Sequence, residues 1–528
     1  MRHPRWAAQR ALAAVGGLAM VVTLPAGIGS AAPGQSSPGP VVRLVAAQRS
    51  ITVPRNGDQV YLDPGVYVEA LGSALEFLVG RASYAKPVTI TEVIRTPDGG
   101  TVRRPLPAWV LDGWTGLRRF LRITIRNAHG KIAGASVLPF CPDSANPQRA
   151  RPDSPARSPF PLACDSNPFE IGTVWGLQRG WAADPFGSGP IIVVGGRPRS
   201  PSPSTAAGAP ASPAAHGYKL RLGRYQVTVS ITRLWRRLLH VTARDATASV
   251  SIKVVKGSGC VDICPPRPRG PGGRPAAPRT LPRLPAVPAM ADPPAADLPD
   301  LIPLPSYGIG VDNSQAHGKH PQSSYLSFAA TVWIGGNSRF DVEGFRTRQS
   351  PTMKAYQYFW HGNRVVGRTR AGTMGFGGKW GRGGYRWHFA QWARFRLLDA
   401  SKSVVRPSHK VGFCIEPTDA IDLLLRHSAW QPPATGPGGA CGSRSAMWVQ
   451  EMLPLGWGDT YVCSGSQSFD ISKLPNGTYY IEVIANPEHV IHETDYGNDV
   501  SLRKVILGGT PGHRTVAVPA YHGIDQER

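Results

Sequence analysis

A chain of 528 residues is too long for one ordinary hydrophobic core, so composition alone implies at least two domains. The formal charge of +25 favours acidic partners. No recognition helix or base-stacking platform accompanies it, which argues against nucleic acid as the partner.

The first elements read as a leader. Arg2, Arg5 and Arg10 form a basic start, Ala11 to Val22 an apolar run, and Ser30-Ala31-Ala32 a small-residue cleavage site, so residues 1–32 are expected to be a signal peptide. The apolar run is short for a membrane span, and no later stretch approaches one. A secreted, extracellular protein follows, with no transmembrane segment after cleavage. Export makes the seven cysteines candidates for disulfides rather than metal thiolates, and no paired CxxC motif occurs. Cys141 and Cys164 bracket one insertion, Cys260 and Cys264 a tight loop, and Cys414, Cys441 and Cys463 share the last domain, leaving one thiol odd.

Residues 41–258 carry short alternating runs, among them Gln59–Leu62, Pro87–Thr91, Leu121–Ile125 and Tyr225–Ile231, separated by turn signals. Alternation of apolar and polar residues marks half-buried strands, and several at regular spacing predict a β-sandwich-like domain. Two insertions rich in Pro, Ser and Ala, about 145–161 and 197–215, are expected to be solvated loops. Residues 265–297 form a Pro-rich linker. From Leu298 the strand pattern resumes through Ser327–Ile334, Asp341–Phe345 and Ala355–Trp360, and an Asn476-Gly477 turn feeds the last clear strand. The expected fold is therefore all-β, with a C-terminal domain at 298–509 and a tail at 510–528.

Four ordered motifs in the C-terminal domain resemble those of the lysyl oxidase family. They are Trp387-His388-Phe389 with Leu397-Leu398-Asp399, then His409-Lys410 with Phe413-Cys414, then Asp459-Thr460-Tyr461, and lastly Asn486-Pro487 with Glu493, Asp495-Tyr496 and Asn498. The first half is similar to the accessory domain of exported bacterial relatives. This resemblance implies a copper enzyme whose lysyl-tyrosyl quinone is made from a lysine and a tyrosine, here Lys410 and Tyr461. The implied activity is oxidative deamination of primary amines, peptidyl lysine included, to aldehydes. Lys410 and Tyr461 would then be both the catalytic and the cofactor-forming residues. The family sets three copper histidines at alternate strand positions; those positions here are Gly384, Arg386 and His388. Only His388 can donate an imidazole lone pair, since glycine has no side chain and arginine keeps its proton.

Between Arg364 and Arg396 the chain holds eight Lys or Arg residues and no Asp or Glu, a poor setting for a divalent cation. His361 or His409 could complete a ligand set after folding, whereas His427, His489 and His492 read as surface residues. Three readings stay open at this point. One is a copper amine oxidase with an altered, weakened or lost metal site. Another is a non-catalytic basic module that binds an anionic cell-envelope polymer, with Arg386 as the anion ligand. The last is a plain structural domain.

Overall fold

The computed structural model describes residues 41–186, 217–256 and 287–525, apart from short internal stretches that include 378–385, 433–440 and 463–466. The expected leader, the second insertion, most of the linker, Cys260, Cys264, Cys463 and Gly384 lie outside the described residues. Among the described residues the regular secondary structure is nearly all strand, with one six-residue α-helix at Arg233–Leu238. No described helix is long and apolar enough to cross a membrane.

In the first half, strand Thr247–Lys256 shows how the residues choose their faces: Val250, Ile252 and Val254 point inward, while Ser249, Ser251 and Lys253 are exposed. It lies in a five-stranded sheet, parallel to Ser50–Arg55 and antiparallel to Gly223–Ile231, followed by Leu117–Asn127 and Ile132–Phe140. A four-stranded sheet runs Gly172–Leu177, Leu75–Gly80, Thr89–Arg95 and Thr101–Leu106. Side chains of these and the smaller sheets form one apolar core from Val42 to Val254.

Three sheets build the second half. One joins Trp387–Phe389, Arg364–Phe376, Thr352–His361, Phe340–Phe345 and Trp448–Leu453 in that order. A second runs Val404–Pro407, Ala393–Leu398, Gly477–Ala485, Val500–Thr510 and His513–Ala517, and the third centres on Tyr325–Gly336 paired with Trp457–Tyr461. Their shared core contains Trp387, Trp392, Phe328 and Phe340. Trp392 is fully buried, with its ring 5.1 Å from that of Phe340.

The two halves are stitched by backbone as well as by side chains. Ile171 N–H donates to the Ile421 carbonyl at 2.8 Å, and Leu423 N–H donates to the Gly172 carbonyl at 2.7 Å. The first insertion corrects the expectation of a purely solvated loop. Phe160 is only 2% exposed, belongs to the second core, and stacks on Trp430 at 5.8 Å between centroids. The Cys141–Cys164 disulfide closes this loop, and a single aromatic outweighs its polar composition because hiding it is worth about 2–3 kcal/mol.

Candidate functional site

Strand Trp457–Tyr461 alternates, so Asp459 and Tyr461 leave one face while Thr460 leaves the other, where its hydroxyl meets the Thr331 hydroxyl at 2.6 Å. Gly458 sits where a β-carbon would collide with Thr331 and Ile421, so the strand packs close to its neighbours. Facing Asp459 and Tyr461 is the loop from Ser408 to Glu416, fixed at four points. Phe413 exchanges two backbone hydrogen bonds with Phe389, at 2.8 and 3.0 Å. Cys414 is disulfide-bonded to Cys441, and its carbonyl accepts the Tyr461 hydroxyl at 2.6 Å. Ile415 N–H donates to Glu451 Oε2 at 3.1 Å.

These ties carry Lys410 to Tyr461. Its Nζ stands 4.1 Å from the Tyr461 ring centroid and 4.7 Å from that of Phe413, and the two rings meet edge to face. Burial weakens the ammonium, and Lys410 falls to about 8, with the Asp459 carboxylate pulling the other way. Asp459 and Glu451 are buried, and burial drives both well above the ordinary carboxyl range. Among the described residues Asp459 Oδ2 and Glu451 Oε1 have no hydrogen-bond partner, at a cost of about 1–3 kcal/mol each. The Tyr461 phenol is likewise raised, first by burial and then by Asp459 and Glu451.

Residues 378–513 match the family model described as lysyl oxidase. The C-terminal region is a lysyl oxidase family domain. Similar curated proteins are lysyl oxidase homolog 4 of Homo sapiens, 27% identical over 138 residues, and lysyl oxidase homolog 2 of Gallus gallus, 25% identical over 139. Each match covers 24% of this chain and 16% of the relative, so the chain matches about a sixth of those proteins. A tetra-tandem repeat from the extending region of a large adhesion protein overlays 89% of the chain at 8% identity, with a TM-score of 0.10, too low to carry an argument.

Set against what a lysyl oxidase requires, Lys410 and Tyr461 fit and the copper residues do not. Lys410 Nζ lies over the face of the Tyr461 ring, 4.1 Å from its centroid, so the two expected residues are in contact. His388 is buried on the short strand Trp387–Phe389, with Nδ1 unpartnered, and is lowered to about 4 by burial and then by the Lys410 charge. Arg386 lies before that strand, and its Nη1 reaches Glu416 Oε1 at 3.2 Å and Cys414 Sγ at 3.8 Å. Neither suggested rescuer joins them in a donor cluster. His361 Nδ1 pairs with Asp297 at 2.8 Å, and His409 is exposed. Among the described residues the one group of three potential donors is Cys414, Glu416 and Cys441, whose sulfurs are bonded to each other.

The expected surface histidines fall in two classes: His427 and His489 are exposed, while His492 is half-buried with its ring 5.9 Å from Phe359. The last motif is structural in its contacts. Asn486 donates to the Ile491 carbonyl at 2.8 Å and to Glu493, whose other oxygen accepts Leu301 N–H at 2.9 Å. Sequence reasoning gave Asp459 no role and missed Glu451. Glu451 shares parity with buried Val449 and Leu453 in strand Trp448–Leu453, so a charge at an inward position was the available signal.

Proposed function

We propose that this is an exported lysyl-oxidase-like protein in which the lysine and tyrosine of the quinone are kept in contact while amine oxidation is weakened or lost. The observation that carries this reading is Arg386. A guanidinium paired with Glu416 occupies the sequence position of a copper imidazole, and His388 is left as a single buried ring. One imidazole beside a cation is a poor site for a divalent transition ion. In an assembled lysyl oxidase the quinone supplies the electron sink that takes an amine to an aldehyde. Here the residues themselves hold Lys410 against two rings, keep Asp459 and Glu451 dry, and anchor the loop through Cys414.

The anionic-polymer reading draws on the high positive charge. It is less favoured because Arg386, Arg394 and Arg396 already have the carboxylate partners Glu416, Glu488 and Glu482, at 3.2, 3.4 and 2.7 Å. Digestion of the purified protein followed by mass spectrometry, with copper assay and peroxide release from a primary amine, tests the proposal. Separate Lys410 and Tyr461 peptides, substoichiometric copper and no peroxide are expected. A Lys410–Tyr461 cross-linked peptide in a copper-loaded sample would overturn it.

A further inference from the structure

We propose that Lys410 is a carbonyl-capturing amine, at which a small uncharged aldehyde condenses to a Schiff base with Asp459 as the proton donor and Glu451 as its positioning partner. This rests on the preceding reading, in which Lys410 is not consumed in a quinone.

Several observations converge on this amine. Its Nζ is held in the corner between the Phe413 and Tyr461 rings, which stand 83° apart with centroids separated by 5.0 Å. Lys410 is half-buried, while His409 and Val411 on either side are exposed, so the loop that carries it lies at the surface. A desolvated lysine among apolar groups is the arrangement that turns an ammonium into a nucleophile. Near it is buried Asp459, and beyond that Glu451, each with one oxygen lacking any partner among the described residues. Asp459 is the acidic neighbour whose charge acts on Lys410, and the same charge acts on Glu451, which places the two carboxyl groups near each other. Burial raises both carboxyl groups well above their ordinary range, which favours the protonated form from which Asp459 donates. His388 stays neutral near neutral pH and does not compete as a proton donor.

The chemistry closes without an oxidant. The Nζ lone pair attacks the carbonyl carbon while the oxygen takes a proton from Asp459, giving a carbinolamine. The nitrogen returns a proton to the carboxylate, and the reprotonated Asp459 gives it to the hydroxyl. The hydroxyl leaves as water while the nitrogen lone pair forms the carbon–nitrogen double bond, and the iminium passes its remaining N–H proton to the carboxylate. Amine plus aldehyde becomes imine plus water, and Asp459 ends as it began. Apolar walls and buried carboxyl groups favour an uncharged aldehyde over an anionic one.

The test treats the folded full-length protein with limiting propanal and cyanoborohydride, then maps N-propyl lysine by peptide mass spectrometry. Lys402 serves as the internal reference: it is exposed, with its Nζ 3.4 Å from the Tyr480 ring. Lys410 is expected to be alkylated at least about tenfold faster than Lys402. Glu451→Gln is expected to erase most of that advantage while leaving Lys402 unchanged, and Asp459→Asn serves the same purpose should the first variant fail to fold. A free Lys410 peptide labelled no faster than Lys402 would overturn this inference alone. In the untreated sample, a Lys410–Tyr461 cross-link would instead overturn the reading on which it rests.

Discussion

The Cys414–Cys441 disulfide closes a loop with a sequence separation of 27 residues, and Cys441 is fully buried. Replacing both cysteines by alanine frees that loop in the unfolded chain. The chain-entropy relation gives a loss of about 3.5 kcal/mol for a closure of this length. Local anchoring lowers the effect on the site itself, because Phe413, Ile415 and the Cys414 carbonyl keep their own hydrogen bonds to Phe389, Glu451 and Tyr461. The double variant should therefore unfold at markedly lower urea, with a slope equal to or steeper than that of the parent because its unfolded chain is less constrained, while preferential alkylation of Lys410 survives in its folded form. Equilibrium urea unfolding followed by tryptophan fluorescence reads the first part, and lysine mapping at zero urea reads the second. A loss below about 1 kcal/mol would refute the loop-closure account. Loss of Lys410 selectivity without unfolding would show that the disulfide alone, and not the four ties together, holds the loop.

Other outcomes follow from buried groups elsewhere. Asp341 is buried between Trp360 and Gln450, and burial, reinforced by Glu343, raises it to about 7. A raised carboxyl stabilises the fold fully below its unfolded value and loses that contribution as pH rises through 7. Thermal stability measured from pH 4 to 8 should therefore fall less steeply in Asp341→Asn, by at most about 4 kcal/mol across the window; identical profiles would count against the assignment. Asn486 adopts a φ of +40° and its amide satisfies three partners, so Asn486→Ala should cost about 2–4 kcal/mol in chemical unfolding, through strain and orphaned groups. Phe160→Ala should cost about 3–5 kcal/mol by removing a buried ring from the second core, and a wild-type midpoint would show that Phe160 is dispensable.

Strands were legible where one face meets the core, as in Tyr225–Ile231, because period-two alternation records burial directly. The Lys410–Tyr461 pair was legible from its motifs, and the structure brings the two into contact. What the sequence concealed depends on folding back across long separations. Phe160 finds Trp430, and Arg386 finds Glu416, from segments whose local composition gives no hint of a partner. The arginine-rich stretch similarly looked devoid of carboxylates, yet Arg394 and Arg396 draw theirs from Glu488 and Glu482 on distant parts of the chain. Glu451 was hidden for a different reason: an acid on an inward face contradicts the hydrophobic pattern that identifies a strand.

The backbone exchange between Ile171–Gly172 and Ile421–Leu423 bears on how the protein can be cut. A fragment that starts at the second half would bare those main-chain groups together with the apolar seat of Phe160, and both would seek replacement partners in a neighbouring molecule. Expression of the oxidase-like portion by itself should therefore give aggregates, and a peptide spanning Phe160 to Gly172 should restore its solubility.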